Sequence, residues 1–153
     1  MSSRGFEFSG MLDGSNATPV IRDFILSTAA AHHPGDLLCV ASDGDLTQVT
    51  TATTEVTAIC QEEVAAADIT AGTTKAKCAI ITRNQIWRCS MDAATASTAI
   101  IGYGKAHDMV DCRTIDADNI DHGAMCVLRK DQYDDEGNIL AEVIFLDTTF
   151  GNT

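Results

Sequence analysis

The chain is poor in aromatic side chains, in proline and in positive charge. Aromatic residues make up 5% of its 153 residues, there are two prolines, and 10 lysines and arginines stand against 22 aspartates and glutamates. The formal net charge of −12 repels the phosphate backbone that dominates nucleic-acid affinity. It also disfavours anionic membrane surfaces, and no apolar run approaches the roughly 18 residues that a membrane helix needs. We therefore expect neither a nucleic acid nor a membrane among the partners.

The chain also lacks the paired cysteines of a zinc site. Its six cysteines are separated by 11 to 23 residues with no C-x-x-C pair, which argues against zinc. Most have apolar neighbours, as Cys39 and Cys126 do, so we expect free, reduced thiols that behave as small hydrophobes. An even count also permits disulfides. Because Met1–Gly5 leads into Phe6–Phe8 and not into an apolar signal segment, we expect synthesis in a cytoplasm.

Small and β-branched residues fill the chain, and they favour a pleated sheet. The pair Asp43-Gly44 between two short apolar runs is a strong hairpin signal. Asn84-Gln85 and the segment 133–138 predict two further hairpins, and residues 62–73 predict a surface connection with one helical turn. About nine or ten strands follow, including one over 109–115. The sequence predicts an all-β single domain of barrel or sandwich type.

The first 19 residues differ in character from the rest. They contain Gly5, Gly10 and Gly14 with little periodicity, which is typical of an extended segment without a core of its own. We expect an N-terminal arm over residues 1–19 and a β-rich domain over residues 20–153. A disordered terminus is the plain alternative to an arm that becomes ordered against a neighbouring subunit.

No residue cluster indicates a reaction or a cofactor. The loop Asp116–Gly123 resembles a calcium loop in its oxygen ligands, but its sixth position is Asp121 where an EF-hand needs glycine. His32-His33 and His107-Asp108 have no second metal ligand at a suitable spacing. The chain is predicted to bind no metal and not to be an enzyme. An enzyme using His107, Asp108 and Cys112 remains a third hypothesis.

The order of features from Thr18 to about Gly104 resembles the lambda-head-decoration-like proteins, which are capsid decoration or cement proteins of tailed bacteriophages. The resembling pieces are a strand start, two parts of a hairpin, a strand rich in β-branched residues and a return strand: Pro19–Phe24, Gly35–Leu38, Asp43-Gly44, Val56–Glu63 and Lys77–Ala79. The resemblance implies a β-tulip-like domain, often trimeric, whose N-terminal arm reaches across capsid subunits. It also implies no enzyme activity. The chain departs from the pattern in a longer, more acidic region over 92–123 and in its six cysteines.

The predicted partner is accordingly the major capsid protein, with a second contact to copies of the chain itself, on the outer surface of an expanded phage head. The residues predicted to make the capsid or neighbour contact are the apolar side chains of the arm: Phe6, Phe8, Met11 and Leu12. Trp87 is predicted to be a core or interface anchor. The alternative function is a carbohydrate-binding or host-adhesion module on the virion surface, in which Trp87 would be the stacking platform.

Overall fold

The computed structural model describes residues 4–92, 106–120, 123 and 125–150. Over these residues the protein is all-β, which confirms the predicted fold class, while the β-tulip or barrel arrangement stays a prediction. The described residues form twelve strands: β1 Glu7–Met11, β2 Ile21–Ile25, β3 Leu37–Val40, β4 Leu46–Gln48, β5 Ala58–Cys60, β6 Lys75–Ile80, β7 Gln85–Ser90, β8 Ala106–His107, β9 Met109–Asp111, β10 Thr114–Ile115, β11 Met125–Tyr133 and β12 Ile139–Phe145.

The strands form two five-stranded antiparallel sheets and one short ribbon. The first sheet has the order β1-β7-β12-β11-β8, the second has the order β2-β6-β5-β3-β4, and β9 pairs with β10. β1 is therefore an edge of the first sheet and β2 an edge of the second. The segment that joins these two strands runs from one sheet edge to the other.

Alternation along the strands creates the core. In β12 the side chains of Ile139, Ala141, Val143 and Phe145 are buried, whereas the residues between them are only half-buried. Trp87 and Phe145 are among the largest fully buried side chains and lie in the larger of two apolar clusters. A smaller cluster lies within the second sheet and contains Leu26, Cys60 and Cys78.

Two of the three predicted hairpins are confirmed. β3 pairs with β4 around Asp43-Gly44, where only the glycine has a positive φ, of +87°. The Asp43 side chain completes this turn by accepting hydrogen bonds from the Asp45 amide at 3.0 Å and from the Ser27 hydroxyl at 2.8 Å. β11 pairs with β12 around the second predicted turn. The predicted helical turn within 62–73 is present as a 3₁₀ turn over Ala66–Asp68.

The hairpin predicted at Asn84-Gln85 is wrong, because β6 and β7 belong to different sheets. The Gln85 side chain explains the turn away from β6. Its Oε1 accepts hydrogen bonds from the Thr82 amide at 3.0 Å and the Trp87 indole at 3.1 Å, and its Nε2 donates to the Ile80 carbonyl at 3.0 Å. Asn84 also has no positive φ. The single strand predicted over 109–115 is likewise two short strands, β9 and β10, joined by a tight turn.

The predicted boundary between an arm over 1–19 and a domain over 20–153 differs from the structure. Glu7–Met11 is a strand of the first sheet, paired with β7. Gly5 and Gly35 let the backbone enter this position, because the Phe6 amide donates to the Gly35 carbonyl at 2.9 Å. A Cβ at Gly5 would lie 2.5 Å from the Gly35 oxygen. The glycine that suggested a disordered arm thus permits a close approach of two backbones.

No helix in the described part of the chain is long and apolar enough to cross a membrane. The longer, more acidic region over 92–123 lies partly outside the described residues, since 93–105, 121 and 122 are not described.

Candidate functional site

The structure divides the four predicted contact residues into two pairs. Phe6 is 3% exposed and its ring lies 5.3 Å from that of Phe145. Phe8 is half-buried and meets Trp87 edge to face at 5.5 Å. The expectation that the first 19 residues have no core of their own is therefore wrong for these two, because both pack on the larger apolar cluster.

Met11 and Leu12 lie where β1 ends and the chain leaves the first sheet. Met11 is half-buried, and Leu12 is 52% exposed. From Leu12 to Thr18 every side chain is exposed, and the exposed run resumes at Val20. We name residues 12–20 the edge loop, because they connect the edge strand β1 to the edge strand β2. This loop is the exposed segment that the arm prediction had placed over the whole of 1–19.

A groove of about 460 Å³ lies beneath the edge loop, and we name it the edge groove. It is lined by side chains from the end of β1, the start of β2 and the connection from β6 to β7: Met11, Thr18, Val20, Ile80, Thr82, Arg83, Asn84 and Gln85. Leu12, Val20 and the adjacent Ile21 are 52%, 49% and 43% exposed. Within the described residues, β1 and β2 each pair with a single neighbouring strand, so the groove combines exposed apolar side chains with two sheet edges.

One basic side chain, Arg83, lines this groove, and three more lie on the paired strands β2 and β6. Arg22, Arg83, Lys75 and Lys77 are exposed on β2, on β6 and in the connection after β6, and they are four of only ten basic residues in the chain. Asp23 offsets part of this charge, since its carboxylate lies 3.3 Å from the Lys77 ammonium. Lys75 pairs with Ile25 at the end of β2 remote from the groove, so only Arg83 of these four contributes charge to the groove lining.

Trp87 is a core anchor and not a surface residue. It is 1% exposed, and its indole N–H donates to the Gln85 side chain at 3.1 Å. A ligand ring cannot stack on a face that is already covered by Phe8 and the core. The residue proposed as a glycan platform is therefore unavailable to a ligand in this structure.

A second, polar pocket of about 240 Å³ lies on the other end of the first sheet. It is lined by Arg4, Gly5, Glu7, Arg88, Ser90, Tyr133, Asp134, Asp135, Glu136 and Leu140. Arg4 pairs with Asp135 at 3.0 Å, and Arg88 pairs with Glu7 at 3.4 Å. Tyr133 at its rim is 58% exposed. The pocket offers one aromatic face and charges of both signs.

The carboxylate of Asp36 is fully buried and fully partnered. It accepts hydrogen bonds from the Arg113 guanidinium at 2.5 Å, the Gln48 amide nitrogen at 3.0 Å and the His33 backbone amide at 2.9 Å. Arg113 also donates to the Pro34 carbonyl at 3.0 Å. This cluster ties the turn between β9 and β10 to the second sheet. Because its polar groups bind one another, we interpret it as structural.

The three residues of the enzyme hypothesis do not assemble into a nucleophile system. His107 is buried and its Nδ1 lies 2.9 Å from the Asp116 carbonyl oxygen. Asp108 accepts a hydrogen bond from the Gly123 amide at 2.8 Å. Burial, together with the nearby Asp36 carboxylate, raises the pKa of the Cys112 thiol to about 12. That thiol is thus protonated at neutral pH, where a nucleophile would have to be a thiolate.

Within the described ranges, no group of three or more histidine, cysteine, aspartate or glutamate side chains is placed to hold a metal ion. The His33 imidazole Nδ1 lies 3.5 Å from one carboxylate oxygen, Oε1 of Glu63. The loop tested for calcium is described except at 121 and 122.

Sequence reasoning missed the residues that surround the edge groove other than Met11 and Leu12. Arg22, Arg83 and Val20 are unremarkable in sequence, and they come together only because β2 and the connection after β6 are neighbours. The rarity of basic residues was a signal that could have directed attention to them.

Comparison with known proteins does not assign the chain to a family. No model of a known protein family matches the chain. A search of curated proteins also finds no match.

Proposed function

We propose that the chain is a structural virion protein that binds the outer surface of an expanded tailed-phage head and stabilises it as a decoration protein. The observation that carries the proposal beside the family resemblance is the edge loop, an exposed segment that joins two edge strands of the described sheets above a groove with exposed apolar side chains. An unpaired edge can accept a strand from another protein, and exposed apolar side chains supply the burial that makes such pairing stable. The partner is the major capsid protein, and copies of the chain associate as a trimer on the virion.

Binding of this kind stabilises a shell by mass action. A protein that binds the expanded lattice and not its dissociated subunits shifts the equilibrium towards the lattice. No bond has to be made or broken, so the role needs no catalytic residue. The protein is made in the host cytoplasm and acts on the capsid surface.

The test is co-sedimentation of the purified protein with expanded and unexpanded heads of the phage that encodes it. We expect binding to expanded heads only. Deleting residues 1–17 is a poor probe, since it removes β1 and with it part of the core. Val20→Asp and Leu12→Asp alter the edge groove at exposed positions, and we expect each to weaken binding at least tenfold.

Val40→Asp is the matched control, because Val40 is 43% exposed but lies on β3, three strands away from β2 in the second sheet. It should bind as the unchanged protein does. Equal binding by all three variants would refute the edge groove as the contact. Binding to neither kind of head, or recovery of the chain from the inside of the head or from the tail, would refute the proposed function.

Glycan binding is the second candidate, and the exposed Tyr133 beside the polar pocket is the observation that favours it. An aromatic face with nearby charged hydrogen-bonding groups suits a sugar ring. Trp87→Ala would damage the core, so Tyr133→Ala is the correct variant for a glycan array. Binding that is lost in Tyr133→Ala and unchanged in Val20→Asp would favour adhesion over decoration.

A further inference from the structure

Cys60 and Cys78 face one another in the middle of the second sheet. They are direct partners in the antiparallel pairing of β5 with β6, and both are completely buried. Both belong to the smaller apolar cluster. Residues directly opposite in a sheet point to the same face, so the two thiols share one side of the sheet.

The backbone hydrogen bonds identify the type of this pair. The Gln61 amide donates to the Lys77 carbonyl at 2.9 Å, whereas the Cys60 amide donates to Asp36, on the side of β3, at 2.9 Å. Cys60 and Cys78 therefore form a non-hydrogen-bonded pair of the β5–β6 ladder. In such pairs the Cα atoms are about 4.5 Å apart and the side chains are closest. That separation falls inside the range of about 4.4–6.8 Å that a disulfide spans.

The two thiols already interact. A hydrogen bond from Cys78 lowers the pKa of the Cys60 thiol and leaves the pKa of Cys78 raised. Cys60 is thus the thiol of the pair that loses its proton first. The Cys60 sulfur also lies 3.1 Å from the Glu62 carbonyl oxygen, which holds it at the end of β5.

We propose that Cys60 and Cys78 are a disulfide site, reduced in the structure and closed by thiol–disulfide exchange with a small disulfide such as oxidised glutathione. Because both thiols are buried, the exchange takes place while the β5–β6 pairing is open, during folding or local unfolding. The Cys60 thiolate then attacks one sulfur of glutathione disulfide and expels one glutathione thiolate. The Cys78 thiol then loses its proton, and its sulfur attacks the Cys60 sulfur and expels the second glutathione thiolate. Two protein thiols are oxidised, one glutathione disulfide is reduced, and the two protons end on two glutathione thiols.

A disulfide at this site would join two inner strands of the second sheet. Oxidation closes the stretch from Cys60 to Cys78 into a loop and fixes β5 to β6, and β6 carries the edge strand β2. The disulfide restricts the unfolded chain more than the folded one. A protein that leaves a reducing cytoplasm for an oxidising medium would thereby become more resistant to unfolding without any change in its surface.

The experiment uses the full chain, both folded and refolded from denaturant, in glutathione buffers of graded reduced-to-oxidised ratio. After free thiols are blocked, tryptic mapping should show the peptide over 78–83, whose single cysteine is Cys78, joined to the peptide over 23–75. Fragmentation then distinguishes Cys60 from Cys39, the other cysteine of the second peptide. Thermal unfolding of the oxidised protein should occur about 5–10 °C above that of the reduced protein.

Cys39→Ser is the matched control, since Cys39 is a half-exposed thiol of the same peptide; it should retain both the link and the shift. Cys60→Ala should lose both. The mapping of the unchanged protein stands even if a variant fails to fold. Linkage of any other cysteine pair, or no linkage in either the folded or the refolded sample, overturns the proposal.

Discussion

At the scale of single residues, the fold depends on one buried carboxylate, Asp36, both of whose oxygens have hydrogen-bond partners. Asp36 receives three hydrogen bonds, from a guanidinium, an amide side chain and a backbone amide. A carboxylate that is buried without such partners loses its free energy of hydration and gains nothing in return. The Asp36 carboxylate therefore holds Arg113, and the turn between β9 and β10 that carries it, in position.

Replacing Asp36 by asparagine should reduce the free energy of unfolding by about 3 kcal/mol or more. Whichever way the amide turns, its NH₂ group meets a donor, either Arg113 on one side or Gln48 on the other. Asp135→Asn is the control, because it breaks an exposed ion pair: the Asp135 side chain is 89% exposed and that of its partner Arg4 is 76% exposed. It should change the free energy of unfolding by less than about 0.5 kcal/mol. Urea unfolding followed by Trp87 fluorescence measures both. Similar losses in the two variants would show that burial does not decide the effect.

Asp43 gives a residue-scale prediction about acid. Hydrogen bonds from the Asp45 backbone amide and the Ser27 hydroxyl lower its pKa in the folded chain. Its contribution to stability is therefore complete above the unfolded-state pKa of about 4 and is lost as the pH falls through the lower folded-state value. Ser27→Ala should move the Asp43 titration, followed by carboxyl NMR, to higher pH. An unchanged midpoint would exclude the hydroxyl as a cause.

At the scale of elements, the attachment of β1 decides whether the N-terminal residues belong to the core. The contact is made by two glycines whose φ values are +72° for Gly5 and +94° for Gly35. Side chains at these positions would meet the opposite backbone. The strand can thus join the first sheet only while both positions lack a Cβ.

We expect Gly5→Ala to cost more than about 3 kcal/mol, since it adds a backbone clash to the strain of a positive φ. Gly14→Ala is a close control, with a φ of +76° and nothing within 4 Å of the added Cβ. It should cost only the strain, about 1–2 kcal/mol. Thermal unfolding distinguishes the two, and equal costs would mean that the approach of Gly5 to Gly35 has no energetic importance.

Local features of the fold could be predicted from the sequence, whereas long-range contacts such as the attachment of β1 could not. Turn chemistry predicted the hairpins at Asp43-Gly44 and at 133–138, because that signal is local. The glycines near the N-terminus predicted an arm, since nothing local distinguishes a flexible glycine from one pressed against Gly35. Asn84-Gln85 has the composition of a hairpin turn, but the Gln85 side chain redirects the chain between sheets. Of the predicted contact residues, only Met11 and Leu12 line or adjoin the edge groove, whose remaining parts meet through long-range pairing.

At the scale of the whole molecule, 22 acidic side chains outnumber 10 basic ones. The net charge of −12 opposes the compact state through self-repulsion. Buried pairs such as Asp36 with Arg113 are screened little by salt, whereas repulsion between exposed carboxylates is screened strongly. Ionic strength should therefore act on stability mainly through the net charge.

Raising sodium chloride from low to moderate concentration at pH 7.5 should increase the melting temperature by about 2–4 °C, the shift that corresponds to roughly 1 kcal/mol for a chain of this size. Near the isoelectric point, about 4.4 from the sequence, the net charge is close to zero and the same salt should have little effect. Scanning calorimetry at both pH values, with dilute protein to limit association, measures the difference. An equal increase at both would assign the effect to general exclusion of salt from the protein surface. An increase confined to pH 7.5 would establish that acidity costs this fold stability.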